Sequence, residues 1–325
     1  MKGIIITDKG FGASIQDKGR FGYREYGLPS AGAMDEYSYI VANWLVRNTP
    51  GEAVIESIFH GLEIEFLSTA VFSITGGKAE VILGNKKIEC WKAVRASKGD
   101  RLRIDKLASG MRNYLAISGG FRIDPVLGSM STYIPAGLGG YRGRMLEKND
   151  IIPLYPSVLN VLKKRSAPAG SIPSFPDKMV LRVTEGVNFD MFPEKIRNSL
   201  LGREFSVSPQ SNRMGIRLEG SDPGAIPGRQ ILSYAVHPGT IQVPPDGKPI
   251  IMGSDCQTIG GYPQFANIIH ADMYKLGQIR AGTEVKLKLT GKEEASEARE
   301  KYYRELEKFS DKSSAVCTDC FEQRP

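Results

Sequence analysis

Four segments of this 325-residue chain concentrate residues able to do chemistry. The first runs Gln16-Asp17-Lys18-Gly19-Arg20 and continues from Gly27 to Asp35. The second, Ser211 to Gly220, carries Asn212 and Arg213. The third, Pro238 to Gly247, carries Gln242 and Asp246. The fourth, Asp255 to Pro263, holds Asp255, Gln257, Thr258, Gly260, Gly261 and Tyr262. Glutamine and asparagine amides offer paired donors and acceptors that match a lactam or ureido edge. Glycine lets backbone N–H groups approach an oxyanion closely. Arginine holds a carboxylate through a bidentate fork. The competing explanation for each segment is turn chemistry, because Asn, Gly, Pro and Asp are the commonest turn residues. For one segment taken alone the two explanations weigh evenly. Gln257-Thr258 ahead of Gly260-Gly261-Tyr262-Pro263 tips the fourth towards function.

The elements that must position these segments read as short strands. Ala79–Leu83, a Gly84-Asn85 turn and Lys86–Cys90 form a hairpin pattern. Val285, Leu287 and Leu289 alternate with lysines, and Ile216 and Leu218 alternate with Arg217 and Glu219, which is the period of a half-buried strand. With 36 glycines and 19 prolines, periodicity predicts a mainly β chain with few helices, a barrel or a sandwich. One helix is predicted from about Asp35 to Asn48, with Tyr37, Ile40, Val41, Trp44 and Leu45 on one face and Asp35 as N-cap. A second, from about Lys292 to Phe309, is strongly charged and reads as a solvated terminal helix. A stretch with five prolines, residues 153–178, reads as a linker. The expected layout is a β-rich unit over 1–152, the linker over 153–178, a second β-rich unit over 179–290, and a charged helix with a Cys-x-x-Cys tail over 291–325. Cutting after about Thr290 is expected to leave the core folded.

Composition excludes several classes. Hydrophobic residues make up 41% and charged residues 24%, as in ordinary globular proteins. The net charge is +7, but the basic residues are scattered, which points to neither nucleic acid nor a membrane surface. No apolar run spans a bilayer and no signal-peptide core follows Met1, so a cytoplasmic location is expected. Four cysteines make no disulfide framework, and Cys317-Thr318-Asp319-Cys320 has no second pair to complete a zinc site. The three histidines lack metal-ligand spacing, so no metal is expected. Gly76-Gly77-Lys78 resembles a phosphate loop but fails the Walker pattern, and no dinucleotide or Gly-x-Ser-x-Gly motif occurs.

Taken in order, the four segments resemble the signatures of the family of 5-oxoprolinase C-subunits and allophanate-hydrolase subunit 2 proteins, which is biotin-dependent carboxyltransferase-like and includes part of the urea carboxylase carboxyltransferase domain. Further matches are Ala42-Asn43, Leu45-Val46, Glu56, Gly128-Ser129, Ser131-Thr132-Tyr133, Gly139-Gly140, Gly143-Arg144, Ala271-Asp272 and Gln278, so the resemblance spans roughly residues 10 to 290. Departures are Arg47, where the family often has Gly, Met130, where a basic residue is usual, Cys256, where Arg or Gly is frequent, and Ala281, where Pro is common.

The resemblance implies two cyclophilin-like β-barrel domains bound to a sister subunit. It implies a carboxyltransferase-like subunit of an ATP-dependent 5-oxoprolinase, a hydrolase acting on a cyclic amide with subunits A and B to convert 5-oxo-L-proline to L-glutamate. ATP would be used by the complex, not by this chain. Having no Ala-Met-Lys-Met site, the chain carries no biotin covalently, and any biotin would arrive on a carrier protein. On this reading Gln242, Gln257 and the Gly260-Gly261 backbone hold a lactam or ureido group, and Arg20 or Arg213 pairs with a carboxylate. Asp35 or Asp255 orients donors or relays a proton, and Gln16, Asn212, Asp246, Thr258 and Tyr262 line the site. Asp35 has an equal rival role as helix cap. Gly261 is expected at a close backbone approach or a left-handed turn. Two other functions fit the same residues: a urea- or allophanate-type carboxyltransferase component, and a regulatory binding protein that antagonises a kinase inhibitor.

Overall fold

A computed structural model of the chain describes residues 2–157, 165–220 and 231–310. It is mainly β. Nine strands of the first half curl into a half-barrel, and seven of the second close into a barrel.

The half-barrel is organised by one 17-residue strand, Arg101–Ile117. Val54–Ile58, Leu62–Phe66 and Ala70–Leu83 all pair with it antiparallel. Gly3–Lys9, Ala13–Gln16 and Ile151–Pro153 extend the sheet at its margins. Alternation decides the inward face: Ile4, Ile6, Ile64, Leu102 and Ile104 are buried together. The Gly84-Asn85 hairpin forms with Leu83 opposite Lys86 and Val81 opposite Ile88, and Gly84 supplies the left-handed turn. Gly76-Gly77-Lys78 is an irregularity inside a strand, not a loop. A Cβ on Gly76 would collide with the Arg112 carbonyl, and Gly76 is left-handed.

Helix α1, Glu36–Leu45, lies against this sheet. The Asp35 carboxylate caps it by accepting from the Ser38 N–H at 2.9 Å. The expected single apolar face is too narrow a description. Tyr37, Val41 and Leu45 enter one cluster while Tyr39, Ala42 and Val46 enter another, so the helix is buried on two sides. Its buried polar groups find partners. Asn43 donates to the carbonyls of Tyr39 and Glu52, and sheet hydroxyls of Ser73 and Thr75 donate to the carbonyls of Ala42 and Ser38. The helix ends earlier than the sequence suggests, because Arg47 takes φ +57°. This conformation favours glycine and accounts for the family preference at that position.

In the barrel, Lys178–Glu185 is followed around the wall by Gln264–Ile268, Thr240–Gln242, Ile250–Met252, Gly215–Glu219, Glu204–Val207 and Glu284–Leu289. The last closes the circle by parallel pairing with the first. Leu181, Val183, Ile216, Leu218, Val285 and Leu287 fill the interior, as their alternation predicts. Helix α2, Glu194–Gly202, covers it with Ile196 and Leu200. A two-stranded ribbon, Tyr234–Ala235 against Ile259–Gly260, stands apart from the barrel wall.

The segment after Ile151–Pro153 is pinned where it is described. Residues 165–167 run beside Trp91–Ala93, with the Ala93 N–H on the Arg165 carbonyl and the Ala167 N–H on the Trp91 carbonyl.

Helix α3, Lys292–Glu307, corrects the expectation of a solvated terminal helix. Its charged face is exposed, but Tyr302 and Leu306, with Phe309 beyond its end, are buried against Tyr37, Val41, Leu45, Trp91, Ile269 and Ala271. Phe309 packs edge-on against Tyr37 and Trp44, and Tyr302 stacks on Tyr274. The helix therefore touches both halves. Cys317 and Cys320 lie outside the described residues. No helix among the described residues is long and apolar enough to cross a membrane.

Candidate functional site

Between the halves runs a buried polar seam. Arg213 leaves the barrel loop before Gly215–Glu219 and forks onto Asp255, Nε to Oδ2 and Nη2 to Oδ1, both at 2.8 Å. Its Nη1 crosses to Glu56 of the half-barrel at 2.6 Å, and Nη2 also donates to the Gly32 carbonyl. Glu56 accepts from the Met34 N–H and pairs with Arg112 Nε at 3.4 Å. Arg112 in turn donates to the Gly277 carbonyl. Two carboxylates and two guanidiniums thus neutralise one another out of water. Burial pushes the Glu56 carboxyl up, but Arg213, Arg112, the Met34 N–H and the Tyr114 hydroxyl outweigh it and hold the acid below its usual range. Burial opposes the charge on Arg213, and Asp255 and Glu56 more than restore it.

Gln278 completes the seam. Its Oε1 accepts from the N–H groups of Met111 and Arg112, and its Nε2 donates to the Arg112 carbonyl and to Asp35 Oδ2. All four positions of the amide are used. Gly277 beside it has no room for a side chain, since a Cβ would lie 2.6 Å from the Asp35 nitrogen. Asp35 is fully buried. Burial pushes its carboxyl up to about 6, against hydrogen bonds from Ser38 and Gln278.

A second hub joins the first segment to residues 126–144. Asp17 Oδ1 accepts from the Gly19 N–H and the hydroxyls of Ser129 and Ser131, and Oδ2 from the Met130 N–H. Arg20, 1% exposed, donates from Nε to the Val126 carbonyl and from Nη2 to that of Ser131. Burial lowers its pKa, with Asp17 and Asp255 opposing. Gly139 is left-handed and sits against Arg20, so a Cβ there would meet Nη2 at 2.8 Å. Gln16 is likewise buried and donates to Ser14 and to the Thr132 carbonyl. Met130, in place of a basic residue, packs on the half-barrel core.

The exposed end of the seam is different. Gln242 is buried, with Nε2 on the Tyr262 carbonyl at 3.2 Å. Gln257 is exposed, and its Nε2 makes two weak contacts, to Gln242 Oε1 at 3.4 Å and to Met252 Sδ at 3.8 Å. Thr258 ties this end to the ribbon through its carbonyl, which accepts from the Val236 N–H. Tyr262 is 46% exposed. Arg24, from the one-turn helix Arg24–Tyr26, donates across the halves to the Val236 carbonyl. Cys256 is buried beneath it with Val236 and Met252. Burial pushes the thiol up to about 11, with Arg24 opposing, so the group is an inert thiol at neutral pH.

The structure therefore brings together Gln242, Gln257, Thr258, Gly260, Gly261 and Tyr262, and gives other expected site residues different work. Arg213 and Asp255 pair with each other, so Arg213 is not free to hold a substrate carboxylate. Asp35 caps α1, and Arg20 and Gln16 are enclosed. Asn212 and Asp246 are exposed turn residues: Asn212 accepts from the N–H groups of Met214 and Gly215, and Asp246 from that of Lys248. The expectation for Gly261 is corrected. It is not left-handed, and a Cβ there meets nothing nearer than 3.6 Å. Gly260 is the tight position, where a Cβ would stand 2.9 Å from Gln242 Nε2 and 3.1 Å from Val236. Sequence reasoning gave no role to Glu56, Arg112 or Gln278, and missed Arg24. Arg24 sits among Tyr23, Glu25 and Tyr26 like any surface cation, and no local pattern marks it.

Comparison with known proteins shows the family. The carboxyltransferase domain, subdomain A and B, matches residues 26–289. The 5-oxoprolinase C-subunit of Escherichia coli is 34% identical over 94% of this chain and 97% of its own length. The urea amidolyase of Lachancea kluyveri is 32% identical over 86% of this chain but only 16% of its own length. The crystal structure of the K. lactis urea carboxylase superposes with a TM-score of 0.88 at 27% identity, over 98% of this chain and 30% of that one. Glu56 and Gln278, two of the residues that carry the family resemblance, are among those that build the seam. The chain belongs to the family of carboxyltransferase domains composed of subdomains A and B.

Proposed function

We propose that this chain is the carboxyltransferase-like subunit of an ATP-dependent 5-oxoprolinase that opens 5-oxo-L-proline to L-glutamate together with subunits A and B. The observation that carries this reading is the end-to-end correspondence with the 5-oxoprolinase C-subunit, over 94% of this chain and 97% of the relative. The exposed Gln257 amide, backed by Gln242, suits the lactam edge of that substrate, a neighbouring donor and acceptor. Gln242 is held in place by the Tyr262 carbonyl, so the amide pair is oriented before a ligand arrives. ATP is assigned to the partner subunits, because the only phosphate-loop-like residues, Gly76-Gly77-Lys78, lie within a strand. The same Gln257 edge fits the ureido ring of a biotin presented by a carrier protein, which when bound would supply a transferable carboxyl group. A second reading, the carboxyltransferase component of a urea-type enzyme, is favoured by the urea carboxylase superposition.

In a complex reconstituted with subunits A and B, Gln257→Ala lowers kcat/KM for ATP-dependent glutamate formation by roughly tenfold to a hundredfold, the loss of one or two ligand hydrogen bonds. Its melting temperature stays that of the parent, because an exposed amide adds little to the core. Full turnover by the variant removes Gln257 from the site.

A further inference from the structure

Two glutamines stand on the outside of the barrel and are nevertheless buried. Gln242 and Gln264 are register partners on the adjacent strands Thr240–Gln242 and Gln264–Ile268. Their chain neighbours Ile241, Val243 and Phe265 fill the barrel interior, so by the alternation of a strand both amides face outward. Yet Gln242 is 0% and Gln264 3% exposed. The ribbon of Tyr234–Ala235 and Ile259–Gly260 lies over them. A Cβ on Gly260 would collide with the Gln242 amide, and Gln264 Nε2 donates to the Ala235 carbonyl at 2.8 Å.

The ribbon needs such an anchor. The Val236 N–H on the Thr258 carbonyl makes Ala235 and Ile259 a pair without mutual hydrogen bonds, so the Ala235 carbonyl points away from its own partner strand. The ribbon has only two strands, so this carbonyl takes a side chain or water as its donor. Gln264 supplies the side chain, and its own backbone is held. Its N–H donates to Asn188 Oδ1 at 3.0 Å, and its carbonyl accepts from the Asn188 N–H at 3.1 Å.

The other strand of the ribbon carries the candidate site. Ile259 lies opposite Ala235, and Gln257 and Thr258 come immediately before it. The contacts that tie this strand to the barrel are longer, at 3.2 Å from Gln242 Nε2 to the Tyr262 carbonyl and 3.4 Å from Gln257 Nε2 to Gln242 Oε1. We propose that Gln264 is a positioning residue for the Gln257 site: it anchors the ribbon on the barrel and thereby sets where the Gln257 amide stands beside Gln242. The reaction it serves is the one proposed above, so this inference rests on the 5-oxoprolinase reading.

Gln264→Met keeps an unbranched side chain of similar length and removes the donor. Hydrogen exchange on the full chain, and turnover by its complex with subunits A and B, test the inference. In the variant the ribbon amide of Val236 exchanges about tenfold or more faster, while the amides of the barrel strand Lys178–Glu185 keep their protection. The variant lowers kcat/KM for ATP-dependent glutamate formation by about tenfold. In a Gln257→Ala background the same substitution costs less than about twofold, because a residue that acts by placing the Gln257 amide then has nothing left to place. Unchanged ribbon exchange, loss of protection throughout the barrel, undiminished turnover, or equal losses in the two backgrounds overturns the inference. A parent complex that forms no glutamate overturns the functional reading alone, and the exchange result then decides the anchor.

Discussion

Arg213→Ala lowers the stability of the chain by about 3–5 kcal/mol, the cost of stranding a buried charge. Asp255 loses both prongs of its fork, and Glu56 loses its shortest contact, at 2.6 Å. Neither carboxylate can turn to water, since Asp255 is 3% and Glu56 1% exposed. Arg112 remains beside Glu56, but at 3.4 Å and already committed to the Gly277 carbonyl. Arg213→Lys restores the charge without the fork and recovers only part of the loss. Urea denaturation measures both. A loss below about 1 kcal/mol for Arg213→Ala, the scale of an exposed ion pair, would show that the seam does not join the halves.

Deleting residues 291–325 destabilises the chain by roughly 5 kcal/mol or more, taking about 1.5–3 kcal/mol for each of Tyr302, Leu306 and Phe309 removed from the aromatic cluster. The deletion uncovers Tyr37, Trp91 and Tyr274, and takes away the Glu305 carboxylate that accepts from the Ser171 hydroxyl. The truncated chain melts lower and binds a hydrophobic dye that the parent does not. A cut after Ser310, which keeps α3 and Phe309, is the reference against which the longer cut is compared. Unchanged melting after the longer cut would return α3 to the role of a solvated appendage.

Strands were legible in the sequence wherever one face is wet. Leu102, Ile104, Val285 and Leu287 alternate with charges, and the Gly84-Asn85 turn marks its own hairpin. Two kinds of feature were hidden. Both long helices were legible but not all that they bury: α1 packs on two sides, beyond the single face its spacing shows, while α3 hides Tyr302 and Leu306 among many charges. Contacts between distant segments leave no local trace, so Arg213, Asp255 and Asp35 read as reactive groups when their partners are 42, 157 or 243 residues away. Gln257 to Tyr262 stood out because they are consecutive, whereas their meeting with the Gln242 amide of the barrel wall is a product of the fold. Arg24 did not stand out, because its reach across the halves to the Val236 carbonyl is a property of the fold.

Omission and add-back decide whether 5-oxoproline opening needs this chain. Subunits A and B are assayed with ATP and 5-oxoproline, with and without this chain, and in parallel with urea and bicarbonate in place of 5-oxoproline. Glutamate forms only when the chain is present, the chain alone gives no turnover, and urea gives none. ATP-dependent turnover of urea in place of 5-oxoproline, or full glutamate formation in the absence of the chain, would contradict the 5-oxoprolinase reading.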